Sequence, residues 1–80
     1  MDQVVLITGG SSGIGDSMAR ILAAEGCRVY EMSRGESAPI DRVHIKGDIT
    51  SEQDAKRAVE YVIGREGRID ILINNAGFGI

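Results

Sequence analysis

Three spaced glycines, Gly9, Gly13 and Gly15, are the residues whose type and spacing predict chemistry most clearly. They separate an apolar stretch, residues 4–7, from a segment with apolar residues at helical spacing. Glycines let the backbone turn sharply and approach a ligand closely. The free N–H groups at the start of the following helix, together with its dipole, favour a phosphate group. The segment therefore predicts a site for the pyrophosphate of a dinucleotide.

The elements that must position this turn follow from hydrophobic patterning. A strand buried on both faces is predicted over residues 3–8, and a helix over 13–25, which Gly26 ends in the left-handed conformation. Residues 34–41 are polar and contain the only proline, so they are predicted to form a loop. Three further strands are predicted over residues 28–33, 43–46 and 69–73.

A second helix has the clearest periodicity in the sequence. Its apolar residues are Ala55, Ala58, Val59, Val62 and Ile63. Thr50 is the predicted N-cap, with Gln53 placed to close a capping box, and Gly67 is the predicted end of the helix.

The alternation of strands and helices predicts an α/β fold with a parallel sheet and right-handed crossovers. We expect a partial Rossmann-like, doubly wound sheet of strand order 3-2-1-4 with two main helices. Residues 1–80 then form a single, incomplete dinucleotide-binding domain. In this order strands one and four are neighbours where the winding reverses, and ligands bind there, outside the carboxyl ends of the strands.

Two motifs fall at the carboxyl ends of these neighbouring strands. Residues 8–15 read TGGSSGIG, and residues 74–77 read NNAG. In both motifs the chain resembles the short-chain dehydrogenase/reductase family, which has TGxxxGIG after its first strand and NNAG after its fourth. The resemblance covers the whole chain but only the front part of the family's domain. It implies an oxidoreductase that transfers hydride between a nicotinamide and an alcohol or carbonyl.

Arg34 carries the prediction of cofactor type. A site that selects NAD usually has an acidic residue at the end of strand two, on the ribose 2′-hydroxyl. Here that position holds Ser33 and Arg34, and a guanidinium binds a 2′-phosphate through paired hydrogen bonds. The sequence therefore favours NADP over NAD. The alternative is a solvated loop arginine; Glu31, the nearest acid, would favour NAD if it faced the ribose.

The resemblance implies further cofactor contacts. Asp48 and the backbone N–H of Ile49 correspond to the family's adenine-reading element, although Asp48 alternatively only caps the second helix. Asn75, Ala76 and Gly77 would line the adenosine ribose, whereas a structural role for Asn74 is as well supported as a binding one. The predicted cofactor-binding residues are Gly9, Ser11, Ser12, Gly13, Ile14, Gly15, Ser33, Arg34, Asp48, Ile49, Asn75, Ala76 and Gly77.

No catalytic residue is predicted in this chain. The family's catalytic serine and its Tyr-x-x-x-Lys pair lie beyond the matching part. Tyr30 and Tyr61 are followed four residues later by arginines, so neither reproduces that pair. His44, the only histidine, lies in a short predicted strand, where a structural role is the simpler interpretation.

The composition argues against nucleic-acid, membrane and metal partners. The net charge is −3 with no basic stripe, so no nucleic-acid partner is expected. Cys27, the single cysteine, excludes an intramolecular disulfide, and no metal-ligand cluster is present in the sequence. No apolar run approaches the roughly 20 residues that span a bilayer. We therefore expect a cytoplasmic protein with no membrane partner and no metal.

Three hypotheses for the whole chain stay open at this point. It is a piece of a longer enzyme, a non-catalytic nucleotide-binding module, or a fragment that persists by self-association. Strand four is apolar and would have an exposed edge, which is a template for strand pairing. We therefore expect a homo-oligomer formed through that edge.

Overall fold

The computed structural model describes residues 2–9 and 13–75. Their elements are β1 (Val4–Thr8), α1 (Gly13–Ala24), β2 (Arg28–Ser33), β3 (Val43–Lys46), α2 (Glu52–Glu66) and β4 (Ile71–Asn74). The strands form a parallel sheet of order β3-β2-β1-β4. The α/β fold, the strand order and the two main helices predicted from the sequence are confirmed.

Each face of the sheet packs against one helix, because successive side chains of a strand point to opposite faces. The face toward α2 contributes Val4, Leu6, Tyr30 and Met32, which pack with Ala58 and Val62. The face toward α1 contributes Val5, Ile7 and Val29, which pack with Ala19. Both faces of β1 are thus buried, as its continuous apolar run predicts.

Strand β1 lies between β2 and β4, and this arrangement positions the glycine turn. Thr8, its last residue, is in register with Met32 of β2 and with Asn74 of β4. The three strands therefore end at one edge of the sheet. The segment after β1 leaves the sheet at that edge, where the winding reverses.

Glycines end both helices as predicted. Gly26 has a φ of +92°, and the N–H of Cys27 beyond it donates to the carbonyl of Leu22 over 3.0 Å. Gly67 has a φ of +82°, and its N–H donates to the carbonyl of Ile63. Both angles lie in the left-handed region, which glycine occupies without steric cost.

The predicted N-cap of α2 is wrong by one residue. The cap is Ser51, whose hydroxyl accepts a hydrogen bond from the N–H of Asp54 over 3.1 Å. Thr50 instead donates its N–H and its hydroxyl to Oδ1 of Asp48, over 2.8 and 2.7 Å. This local turn occupies Thr50, so the capping box with Gln53 does not form.

Strand β4 begins at Ile71, two residues later than predicted. Asp70 precedes it, and its carboxylate accepts a hydrogen bond from the N–H of Val4 over 2.7 Å. The N–H of Asp70 donates in turn to the carbonyl of Val4 over 2.8 Å. These bonds fasten the amino end of β4 to β1 before the regular ladder starts.

The two candidate caps can be separated by mutation. Ser51→Ala should lower the free energy of unfolding by about 1 kcal/mol, because it leaves an N–H of the first turn without its acceptor. Thr50→Ala is the matched control and should cost clearly less, since its hydroxyl bond is exposed. Urea denaturation measures both. An equal or larger loss for Thr50→Ala would contradict the assignment of Ser51.

Candidate cofactor-binding site

The backbone at Gly9 joins the two sequence motifs. Its φ of +79° requires the left-handed region, and its N–H donates to the carbonyl of Met32 over 2.7 Å. Its carbonyl accepts a hydrogen bond from Nδ2 of Asn75 over 3.1 Å, and the N–H of Asn75 donates to the carbonyl of Thr8. The turn after β1 is therefore held by β2 on one side and by the segment after β4 on the other.

The amino end of α1 begins at the same edge of the sheet. Gly13, its first residue, has a φ of +60°, and Gly15 is buried. The side chain of Ile14 is 70% exposed, so it leaves an apolar surface at the mouth of the turn. Ser11, Ser12, Ala76 and Gly77 lie outside the described residues, and their predicted contacts remain predictions.

Arg34 and Asp48 lie together beyond the carboxyl ends of β2 and β3. The Nη2 of Arg34 is 3.1 Å from Oδ1 of Asp48, and 71% of the arginine side chain is exposed. Hydrogen bonds from the hydroxyl and N–H of Thr50, and then from Arg34, lower the pKa of Asp48 to about 2. Asp48 is thus a carboxylate that orients the guanidinium and leaves most of its N–H groups open.

Backbone contacts fix the position of Asp48. Its N–H donates to Oδ2 of Asp54 over 2.7 Å, which is the main cause of the lowered pKa of Asp54. The preceding Gly47 donates its N–H to the carbonyl of Ser33 over 2.9 Å. A Cβ at Gly47 would lie 2.7 Å from Sδ of Met32, so a side chain there would displace that buried residue. The strand ends therefore approach closely beneath the Arg34–Asp48 pair.

Ser33 points away from the Arg34 guanidinium. Its side chain is buried on the α1 face of the sheet, and its hydroxyl donates to Oε1 of Glu31 over 3.4 Å. Glu31 is itself completely buried on that face, so it does not lie beside the exposed Arg34 guanidinium. The phosphate contact predicted for Ser33 needs a rearrangement that the contact predicted for Arg34 does not.

Two polar interactions of this region were not predicted from the sequence. The guanidinium of Arg42 is completely buried and pairs with Asp16 of α1 over 2.9 Å and with Asp41 over 2.7 Å. It fastens the end of the 34–42 loop to the helix. His44 contacts the buried Glu31. The sequence contains one signal of these interactions, because Glu31 and His44 lie within apolar strands and Arg42 lies directly before one.

Neither a membrane-spanning helix nor a metal-binding cluster is found in the described part of the chain. No helix there has both the length and the apolar character needed to cross a membrane. No group of three or more histidine, cysteine or acidic side chains there could hold a metal ion.

The family model of short chain dehydrogenases matches residues 3–80. The chain belongs to that family. A 3-ketodihydrosphingosine reductase of Bacteroides thetaiotaomicron is 46% identical over 79 residues, which are 98% of this chain and 29% of that protein. Ligand-free aldohexose dehydrogenase of Thermoplasma acidophilum superimposes with a TM-score of 0.88 at 34% identity, over 96% of this chain and 30% of its own.

Two other similar structures contain dinucleotides. An actinorhodin polyketide ketoreductase variant with NADPH has a TM-score of 0.82 and 35% identity, over 96% of this chain and 34% of its own. An NADH-dependent reductase in complex with NAD has a TM-score of 0.84 and 32% identity, over 96% and 37%. This short-chain dehydrogenase chain thus spans about a third of such relatives, and both types of cofactor occur among them.

The acidity of Asp48 gives a pH-dependent prediction. Because its folded pKa of about 2 lies below the ordinary 3.8, the charged form stabilises the fold above about pH 4. This stabilisation is lost as the pH falls toward 2. The difference in unfolding free energy between wild type and Asp48→Asn should therefore shrink over that interval.

Carbon-13 NMR of the Asp48 carboxyl measures the same shift directly. Thr50→Val is the matched variant, because it removes the hydroxyl donor but keeps the backbone N–H. Its titration midpoint should move upward toward 3.8. A wild-type midpoint already near 3.8 would show that the Thr50 and Arg34 bonds do not form in solution.

Proposed function

We propose that this chain is the NADP(H)-binding N-terminal segment of a short-chain dehydrogenase/reductase that acts on an alcohol or carbonyl. The observation that carries the preference for NADP is the exposed guanidinium of Arg34, directly after β2. An acidic residue at this place would repel a 2′-phosphate, whereas a guanidinium binds one with paired, charge-assisted hydrogen bonds.

In this proposal the dinucleotide would lie along the carboxyl edge of the sheet. The turn at Gly9 and the amino end of α1 would receive the pyrophosphate, where backbone N–H groups and the helix dipole favour negative charge. Asp48 and Ile49 would contact the adenine, and Asn75 would lie beside the ribose. The bond between Asn75 and the Gly9 carbonyl supports this assignment, because it prearranges the turn.

The bound cofactor would supply the hydride, and this chain would supply its binding and orientation. The serine, tyrosine and lysine that the family uses for acid–base chemistry have no counterpart in the sequence. We therefore assign catalysis to the parent protein and cofactor binding to this segment. A non-catalytic nucleotide-binding module is the alternative, and reconstitution of activity with the remaining part of a relative would exclude it.

Arg34→Ala tests the preference for NADP. A charge-assisted hydrogen bond contributes about 1.5–3 kcal/mol. Its loss should weaken NADP⁺ binding by about 10- to 100-fold and leave NAD⁺ binding nearly unchanged. Calorimetric titration with both cofactors measures the effect. Arg68→Ala is the matched control, because Arg68 also pairs with an aspartate, Asp70, but lies before β4 at the opposite edge.

Two results of this titration would contradict the proposal. Equal losses for NADP⁺ and NAD⁺ would assign Arg34 a structural role only. Equal affinities for the two cofactors in the wild type would remove the preference itself.

We also propose that the chain self-associates through β4. Within the described residues β4 pairs with β1 alone, and its Leu72 side chain is 59% exposed. An apolar edge strand of this kind favours pairing with a second chain. We propose a cytoplasmic location, because the sequence has one cysteine and therefore needs no oxidising compartment for an intramolecular disulfide.

Sedimentation velocity tests the association. The weight-average sedimentation coefficient of the wild type should rise with concentration, and Leu72→Lys should reduce that rise by placing a charge in the interface. Ile40→Lys is the control, since Ile40 is a fully exposed residue of the 34–42 loop. A wild type that stays monomeric at all concentrations would overturn the proposal.

A further inference from the structure

A series of polar contacts connects Glu31, a buried residue of β2, to Gly35, the residue that follows Arg34. Glu31 is completely buried, and its Oε1 contacts Nδ1 of His44 in β3. The other ring nitrogen of His44, Nε2, is 2.6 Å from the backbone carbonyl of Gly35. Two links, Glu31 to His44 and His44 to Gly35, thus tie the loop after β2 to the interior of the sheet.

The imidazole ring has an acceptor at each nitrogen, so only its protonated form donates to both. A neutral ring has one N–H. That N–H is retained by the carboxylate, because a hydrogen bond to a charged acceptor is the stronger of the two. Loss of the proton therefore removes the donor to Gly35 and turns a nitrogen lone pair toward its carbonyl. The protonation state of His44 therefore determines whether the loop stays hydrogen-bonded to the ring through the Gly35 carbonyl.

The surroundings of His44 favour the protonated form of its ring. Burial alone would lower the pKa of His44, but the hydrogen bonds to Glu31 and Gly35, aided by the charge of Glu36, raise it above the ordinary 6.5. Glu36 itself pairs with Lys46 of β3. The stabilisation from the proton is thus complete below about pH 6.5 and is lost as the pH rises through the higher folded value.

The remaining charges on this side of the sheet are engaged elsewhere. On α1, Asp16 pairs with Arg20 and with the buried Arg42. The second carboxylate oxygen of Glu31, Oε2, is buried and has no hydrogen-bond partner among the residues that the structure describes. A buried carboxylate is costly unless an opposite charge compensates it, and His44 is the cation in direct contact with it.

We propose that the protonated His44–Glu31 pair fixes the Gly35 peptide and thereby orients Arg34, so that discrimination for the 2′-phosphate depends on that proton. His44 is then a positioning residue for cofactor selectivity. This inference rests on the proposed role of Arg34. The Arg34–Asp48 contact holds the guanidinium from one side, and the tie at Gly35 holds its backbone from the other.

The test compares NADP⁺ and NAD⁺ binding of the whole chain between pH 7 and 9 for wild type, His44→Gln and Glu31→Gln. A phosphate monoester loses its second proton near pH 6, so the 2′-phosphate changes little over this interval. The wild-type preference for NADP⁺ should fall severalfold as the pH rises through the folded pKa of His44. Each variant removes the His44–Glu31 ion pair, so its preference for NADP⁺ should not change with pH over this interval.

Nitrogen-15 and carbon-13 NMR together supply a measurement that needs no cofactor. The ring nitrogens of His44 report its protonation, and the carbonyl carbon of Gly35 reports the tie. The two should titrate together in the wild type, with a midpoint above 6.5. If either variant fails to fold by circular dichroism, this wild-type titration and the wild-type binding series decide the matter without it.

The possible outcomes separate the two proposals. If Arg34→Ala lowers the preference for NADP⁺ but the wild-type preference is constant with pH, the role of Arg34 stands and the role of His44 is overturned. If the wild type has no preference at any pH, both proposals fail. A Gly35 carbonyl that does not follow His44 also overturns the inference.

Discussion

The hydrogen bonds of Gly9 are the constraint on which the candidate site depends. The carbonyl of Gly9 accepts a hydrogen bond from the side chain of Asn75, which follows β4. The N–H of Gly9 donates to the carbonyl of Met32 in β2. These bonds connect the carboxyl ends of three parallel strands, β1, β2 and β4, at one edge of the sheet. Because α1 starts from this edge, its amino end is directed toward the same place as the strand ends. The proposed phosphate-binding arrangement depends on these hydrogen bonds.

The other half of the edge, at β2 and β3, is built from charges. Outside the sheet, Asp48 holds the Arg34 guanidinium, and beneath it a buried acid and a histidine hold the loop that carries Arg34. Apolar packing is limited here: Val43 and Ile45 of β3 pack on the α2 face, while the α1 face carries Glu31 and His44. Fixed charges in this position suit recognition of an anion, and they make its geometry sensitive to protonation.

The elements of the fold could be predicted because each has a local signal. The apolar run of β1, the periodicity of α2 and the capping glycines Gly26 and Gly67 all depend on neighbouring residues alone. The prediction of Thr50 as the N-cap of α2 was wrong, because the Thr50 hydroxyl donates to the carboxylate of Asp48 instead. The hydrophobic pattern of the sequence does not reveal this competing acceptor. The Glu31–His44 pair joins residues on different strands, so its formation depends on strand register and not on sequence spacing.

An amide NMR titration of the chain with NADP⁺ tests the central claim most directly. The account predicts chemical-shift changes at the carboxyl edge, at Gly9, Arg34 and Asp48, and none around Arg28 and Glu66, which pair at the opposite edge. Changes confined to that opposite edge would contradict the account. So would a spectrum that does not change at saturating cofactor, because the closed edge would then be structural only.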